Sequence, residues 1–274
     1  MKQTRRALLQ ALVLGAAGSR ASTARCSRPV VVPLAPVGIL ARLEHERPAG
    51  VAPELLRQIE RQGGGPFKVS IVPRGQMIRM FFETHESDVL FPAVRNMVRD
   101  HLARFVPMLL TRPALLTLPS LPEPPRSIPA LLDAKDLQGV VVRSYTYGHA
   151  YDELIQTLAA ERRLTQVRDV TTVLRMLLAQ RVQFSLLPPS LGWAEQQTLG
   201  VELRDSPLRY SRLEGLPHVE LGVYISRVSK LSERDQLLLQ QQFQHAAGSG
   251  LLSRVVGASV PPLVLEEDLS FLGG

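Results

Sequence analysis

The feature that most constrains this chain is a repeated alternation of short apolar strands with amphipathic helices. In the first unit, strands are predicted at 29–32, 68–72 and 88–92, and the helices between them at 51–59 and 76–86. Strands that alternate with helices favour a mostly parallel sheet with helices packed on its faces. This part of the chain therefore predicts an α/β unit.

A proline-rich passage interrupts the alternation, which then begins again. Five prolines lie within residues 119–129, and that density prevents regular structure and indicates a connector between packing units. Beyond it, strands are predicted at 140–142 and 182–187, and a helical stripe at 151–158. We therefore expect a second α/β unit.

The last part of the sequence predicts a strand followed by a capped helix. The alternating run Val219–Ile225 is typical of a strand that returns across the molecule. Ser232 is a candidate N-cap with Asp235 three residues later, and the helix is predicted to run to about His245, before Gly248.

The N-terminus has the three parts of a secretory signal. Lys2, Arg5 and Arg6 form a positive segment, residues 7–17 are apolar, and small residues at 22–24 fit a cleavage site. A short buried helix is the alternative interpretation. The segment has neither an acidic residue nor a clear cap, so we expect an exported protein that is cleaved near residue 24.

Two details concern how the chain is exported. The run Thr4–Gln10 resembles a twin-arginine signal, and paired arginines also occur in ordinary signals, so the export route stays open. Cys26 is the only cysteine, which excludes an internal disulfide. Its position suggests lipid attachment, but Arg25 stands where lipoprotein signals have a small residue. We therefore expect a free thiol.

The net charge of +7 does not indicate a nucleic-acid binder. Four basic residues lie in the predicted signal, where no acidic residue offsets them, so the mature chain carries +3. The other basic residues are scattered and aromatic residues make up only 5% of the sequence. A groove for a phosphate backbone needs a basic stripe, and we therefore expect no nucleic-acid partner.

Four short stretches carry a family resemblance. Gly50–Leu56 is similar to a glycine followed by a first helix, and Glu86–Phe91 to a small segment, an Asp and a strand. Arg99–Pro107 is similar to a segment in which Phe follows Arg by six residues, and Asp136–Val142 to an Asp-Leu-x-Gly turn before a strand. In this order they resemble the bacterial extracellular solute-binding proteins of family 3, the polar amino-acid type.

The resemblance implies the two-lobed periplasmic binding protein type II fold. In this α/β fold each lobe is a mostly parallel sheet flanked by helices, and two strands form the hinge. After a signal peptide at 1–24, lobe 1 would span 25–114, and lobe 2 with the proline-rich connector 115–219. Residues 220–274 would return to lobe 1. Spacing alone makes 94–105 look helical, whereas the resemblance implies a short helical turn and then extended chain.

Candidate ligand-binding residues follow from the strand ends and from the resemblance. Ligands of parallel α/β sheets bind beyond the carboxyl ends of strands. The resemblance implies that the guanidinium of Arg99 clamps a ligand carboxylate, with Arg95 as the substitute if the register is shifted. Ordinary capped loops are the alternative. The candidates are Phe91, Pro92, Ala93, Arg99, Ser144, Tyr145, Thr146, Tyr147 and Gly148.

One departure from the family pattern bears on the ligand. Gln183 stands where the family usually has an Asp, and no carboxylate occurs near Pro188. A buried ammonium group without a carboxylate partner is unfavourable. The sequence therefore disfavours an ordinary α-amino acid and favours an uncharged or anionic solute. Trp193 could cover an apolar ligand, but we expect it to pack under a helix.

The sequence carries no pattern of catalytic residues. Its six histidines lack metal-ligand spacing, and neither a nucleophile elbow nor a phosphate loop is present. We therefore expect no enzyme, metal or cofactor. The resemblance implies a monomeric periplasmic protein that delivers a small polar or anionic solute to an ABC permease in the inner membrane. An orphan sensory or scaffold protein is the alternative, and an exported enzyme is a weaker one.

Overall fold

The computed structural model of this chain describes residues 25–200 and 208–272. The predicted signal peptide at 1–24 lies outside the described residues. Within the described ranges, no helix is both long and apolar enough to cross a membrane.

The first lobe begins with alternating strands and helices, as the sequence predicts. Its α1 helix forms because Val51, Leu55 and Ile59 recur on one face and are buried together. The elements, in chain order, are β1 (Val30–Leu34), β2 (Arg42–Glu44), β3 (Arg47–Ala49), α1 (Val51–Arg61), β4 (Phe67–Ile71), α2 (Arg74–Phe82), β5 (Val89–Val94), α3 (Met97–Leu102) and β6 (Ala103–Thr111).

The second lobe follows directly after β6. Its α4 helix begins after Ser127, whose hydroxyl accepts a hydrogen bond from the amide of Ala130. The elements are β7 (Ala114–Thr117), α4 (Ile128–Asp133), β8 (Gly139–Val142), α5 (His149–Ala160), β9 (Leu164–Val167), α6 (Val170–Leu178), β10 (Phe184–Leu187), α7 (Pro189–Thr198) and β11 (Arg209–Ser211).

The remaining chain returns to the first lobe. The hydroxyl of Ser232 accepts a hydrogen bond from the amide of Asp235 at 3.1 Å, so the predicted cap is present. The helix that it begins is α8, which ends at Gly248 rather than at His245. The elements are β12 (Val219–Ser226), α8 (Glu233–Gly248), α9 (Leu251–Gly257), α10 (Pro262–Asp268) and β13 (Ser270–Phe271).

The sheets are mixed, and less parallel than the sequence suggests. In the first lobe β1 and β4 pair in parallel, while β5, β12, β6 and β13 form an antiparallel sheet in the order β13-β6-β12-β5. In the second lobe the order is β11-β7-β10-β8-β9, with β8, β9 and β10 parallel and β7 and β11 antiparallel to their neighbours. The antiparallel strands are those next to the crossings between the lobes.

The chain crosses between the lobes at 112–113, after β6, and at 217–218, before β12, because residues 213–216 still pack against the start of α4 in the second lobe. The proline-rich passage at 119–129 is therefore not a connector between packing units. It lies inside the second lobe, between β7 and α4, because β7 already pairs with β10 and β11 of that lobe. The region 94–105 contains a short helix, α3, followed by the extended β6.

One helix of the second lobe packs into the core of the first. Trp193 and Ala194 of α7 are buried among the apolar residues of the first lobe, including Leu55 and Val256. Gly38 of the first lobe adopts φ +43°, and a Cβ there would meet the carbonyl oxygen of Ala194 at 2.3 Å. The backbones of the two lobes are therefore in close contact where Gly38 meets α7.

The thiol of Cys26 is free and buried in the core of the first lobe. Burial raises its pKa to about 11, and the nearby carboxylate of Asp235 acts in the same direction. The thiolate is the reactive form of cysteine. The thiol of Cys26 is therefore expected to be unreactive.

A buried carboxylate fixes the start of the first strand. Asp88 is 2% exposed, and its oxygens accept hydrogen bonds from both terminal nitrogens of Arg28, at 2.9 and 2.6 Å. It also accepts from the amide of Val31 at 2.8 Å. This one side chain ties β1 to the segment that leads into β5.

Replacing this carboxylate tests its contribution to stability. We expect Asp88→Asn to lower the free energy of unfolding by about 2–3 kcal/mol, because the change leaves buried donors poorly paired. Glu44→Gln, which removes the exposed partner of Arg42, is the control and should cost about 0–1 kcal/mol. Urea denaturation measures both. Equal losses would contradict a special role for Asp88.

Candidate ligand-binding cleft between the lobes

A cavity of about 160 Å³ lies between the two lobes. Both lobes and the C-terminal segment contribute to its wall. The lining residues are Ala35, Val37, Leu40, Ala41, Val51, Ala52, Leu55, Arg74, Met77, Phe91, Pro92, Val94, Arg99, Met108, Leu109, Thr111, Tyr145, Thr146, Tyr147, Pro188, Ser190, Leu191, Leu221, Gly222, Leu252, Val256, Val260 and Leu269.

Three of the four predicted residues of the first lobe line this cavity. Phe91 and Pro92 line the cavity at β5, and Arg99 lines it from α3. Ala93 does not line the cavity, because it is buried in the first lobe against Met77 and Phe81.

Arg99 is held in place by the hydrogen bonds of its short helix. The side-chain oxygen of Asn96 caps α3 by accepting from the amide of Val98 at 2.9 Å. The hydroxyl of Tyr224, on β12, accepts from the amide of Asn96 at 2.8 Å and donates to Asp100 at 2.7 Å. The segment that carries Arg99 is therefore anchored to a strand of the central sheet.

The structure separates Arg99 from the alternative Arg95. The guanidinium of Arg95 pairs with Asp100 at 2.9 Å and with Glu220 at 2.8 Å, and the side chain is 52% exposed. It does not line the cavity. Of these two arginines, only Arg99 is placed to touch a ligand.

Arg74 is a lining residue that the sequence analysis did not single out. It is the first residue of α2, and its guanidinium carbon lies 4.5 Å from the centre of the Tyr145 ring in the second lobe. Its Nε is buried without a hydrogen-bond partner. The sequence feature that could have identified Arg74 is Pro73, which directly follows the strand predicted at 68–72. A proline there indicates where the helix begins, and it places Arg74 beyond the carboxyl end of the strand, where ligands bind.

Neither guanidinium group forms an ion pair in the described part of the chain. Among the described residues, no hydrogen bond or ion pair joins the guanidinium of Arg74 or Arg99 to a carboxylate. Burial and the positive charge of Arg74 lower the pKa of Arg99, and the carboxylate of Asp152 offsets only part of that lowering. Both effects disfavour the charged form, so a bound anion would relieve them.

The predicted loop of the second lobe contributes three aromatic or hydroxyl side chains. Tyr145, Thr146 and Tyr147 follow β8 and line the cavity, and the Thr146 hydroxyl donates to Asp152 at 2.8 Å. The rings of Tyr145 and Tyr147 meet edge to face, with centroids 6.2 Å apart. Burial raises the pKa of both tyrosines, which therefore stay neutral.

The two remaining residues of that loop lie outside the wall. Ser144 is exposed and adopts a left-handed φ of +66°. Gly148 caps α5 with φ +87°, and a Cβ there would lie 3.0 Å from the side chain of Val219. These positions shape the loop without touching the cavity.

The helix α7 closes the wall on the second lobe. Pro188, Ser190 and Leu191 line the cavity, and the amide of Ser190 donates to the carboxylate of Asp268 at 2.6 Å. Asp268 belongs to α10, in the C-terminal segment. This hydrogen bond joins the second lobe to the return segment beside the cavity.

Comparisons place this architecture among known folds. The sequence matches no family model and no curated protein. A solved structure of a histidine kinase sensor domain with similarity to periplasmic binding proteins superposes with a TM-score of 0.67 at 14% identity, over 85% of this chain and 96% of its own.

Two amino-acid-binding proteins superpose equally well. An amino acid ABC transporter substrate-binding protein from Streptococcus pneumoniae, bound to L-arginine, has a TM-score of 0.66 at 11% identity, over 89% of this chain and 95% of its own. An arginine-, lysine-, histidine-binding protein from Geobacillus stearothermophilus has a TM-score of 0.66 at 13% identity, over 86% and 98%. The predicted periplasmic binding protein type II fold is confirmed.

The unpaired charge at Arg99 leads to a prediction for the ligand-free protein. We expect Arg99→Met to raise the free energy of unfolding by about 1 kcal/mol, because it removes a poorly compensated charge and keeps apolar packing. Arg104, whose guanidinium donates to Gln240 at 2.7 Å, is the control. Arg104→Met should lower the free energy of unfolding by about 1 kcal/mol. Thermal and urea denaturation without ligand measure both, and a destabilised Arg99→Met would contradict the argument.

Proposed function

We propose that this protein is an exported solute-binding protein that captures a small polar or anionic solute between its two lobes and delivers it to an ABC-type membrane transporter. The observation that carries the proposal is the shared cavity, whose wall combines Arg74, Phe91 and Arg99 of the first lobe with Tyr145 and Thr146 of the second. A solute that touches both lobes would favour the closed arrangement.

The charges of the wall support an anion. A planar guanidinium can form two parallel, charge-assisted hydrogen bonds to a carboxylate, and two such groups face the cavity. No Asp or Glu lines it among the described residues. Two of the neighbours described above are named as bound to L-arginine or as binding arginine, lysine and histidine. We propose the same mode of capture for this chain, with a ligand of different charge.

Export and transport rest on the sequence and on the fold. The signal peptide predicted at 1–24 supports a periplasmic location, and the transporter substrate-binding proteins among the structural neighbours support delivery to a permease. In the described part of the chain, no group of three His, Cys, Asp or Glu side chains is placed to hold a metal. We propose a binding protein rather than an enzyme.

The fluorescence of Trp193 can report whether the lobes are open or closed. Trp193 is the only tryptophan, and it is buried where α7 meets the first lobe. Opening the lobes would expose its indole to water. A ligand that closes the lobes should therefore shift the fluorescence of Trp193 to shorter wavelength and raise the melting temperature by mass action.

We expect a screen of the mature chain against carboxylates, amino acids, polyols and aromatics to give hits among the carboxylates. Arg99→Gln should weaken a hit by roughly a hundredfold, as expected when a charge-assisted bidentate contact is lost. Arg95→Gln, in the same segment but paired outside the cavity, should leave the affinity within about threefold. Isothermal titration calorimetry and Trp193 fluorescence measure both.

The role of the second lobe is tested by Tyr145→Ala. This change should weaken the same hit and reduce the fluorescence shift, since it removes a wall of the cavity. Binding that is indifferent to Tyr145→Ala would show a ligand held by one lobe and would contradict capture between them. Delivery is tested in the native host, where deletion of the gene should abolish uptake of the radiolabelled hit.

A further inference from the structure

The wall of the cavity is divided by polarity. Its charged side chains, among the residues that the structure describes, are Arg74 and Arg99. The side chains from α1 and α9, including Val51, Leu55 and Val256, are apolar and belong to the core of the first lobe. The cavity therefore has a cationic part at the cleft and an apolar part that reaches into the first lobe.

The size of the cavity limits what the apolar part can hold. The whole cavity, including its cationic part, has a volume of about 160 Å³. An engineered apolar cavity of about 150 Å³ stays dry and binds benzene. Water gains little in a space lined by Leu, Val and Met side chains, so a hydrocarbon group no larger than benzene is the fitting occupant of the apolar part.

We propose that the ligand is a monocarboxylate with an apolar body no larger than a benzene ring, its carboxylate between Arg74 and Arg99 and its body against α1 and α9. This inference rests on the proposed function and names the class of solute for the same cavity.

The same wall argues against other anions and against amino acids. A dicarboxylate would place its second charge among apolar side chains, where an unpaired charge is strongly disfavoured. An α-amino acid would bring an ammonium group beside two guanidinium groups, with no lining carboxylate in the described residues to accept it. Both classes are therefore expected to bind weakly.

A matched series of probes tests the two parts of the ligand. Phenylacetate carries both the carboxylate and the apolar body, phenylacetamide lacks the charge, acetate lacks the body, succinate adds a second charge and L-phenylalanine adds an ammonium group. By isothermal titration calorimetry of the mature protein, phenylacetate should bind at least roughly tenfold more tightly than each of the others.

Variants locate the two parts in the cavity. Arg74→Gln should reduce the preference for phenylacetate over phenylacetamide by roughly tenfold, while Arg79→Gln, an exposed position on the same helix, should leave it unchanged. Val256→Ala enlarges the apolar part of the cavity. It should therefore shift the ratio of the affinities for 3-phenylpropanoate and phenylacetate by roughly tenfold in favour of 3-phenylpropanoate, which is longer by one methylene. Unfolding temperatures confirm that each variant folds.

The outcomes separate this inference from the proposed function. If a polar solute or an amino acid binds and shifts the fluorescence of Trp193 while phenylacetate does not bind, capture between the lobes stands and the ligand class is overturned. If phenylacetate binds but Val256→Ala leaves its chain-length preference unchanged, the body lies elsewhere and the inference is likewise overturned. If no compound of the series or the screen binds, both proposals fail.

Discussion

The architecture depends on the pairing of β12 with β6 and β5. These strands are more than a hundred residues apart in the chain, yet β12 pairs with β6 from Val219↔Thr111 to Ser226↔Ala103 and with β5 on its other side. The second lobe is therefore an excursion between two neighbouring strands of the first. Because β6 leaves the sheet and β12 returns to it at the same end of two neighbouring strands, the covalent connection between the lobes is a narrow pair of crossings, and the lobes face each other across a cleft that α7 partly closes.

What faces the cleft follows from that arrangement. Strands β5 and β8 end towards it, and helices α2 and α5 begin near it without side-chain caps. The first turns of such helices carry a partial positive charge, which favours an anion. The guanidinium groups of Arg74 and Arg99 add full positive charges to this field, and the carboxylate of Asp152 in the first turn of α5 opposes part of it.

Much of the fold was predictable because its periodic signals are local. The buried face of α1 and the cap of α8 at Ser232 follow from residue spacing alone, and no tertiary contact opposes them. The mixed pairing was not predictable, since pairing partners such as β12 and β6 are remote in sequence. The prediction that the proline-rich passage at 119–129 connects the two units was wrong for the same reason. Proline density shows where regular structure stops, but it does not show which lobe the chain then enters.

Part of the cavity wall was predictable from the ends of strands: Phe91 lies within β5, and Tyr145 and Tyr147 lie in the loop after β8. Arg74 was missed because the helix was expected to begin at Gln76, two residues too late, which hid a charge at the sheet edge. The contribution of α1 and α9 to the cavity wall could not be predicted either, because the sequence pattern around Val51 and Val256 is that of ordinary core residues. Their part in the wall arises only when the two helices pack side by side beneath the cleft. A local pattern thus identifies the polar end of the cavity, whereas its apolar end is a property of tertiary packing.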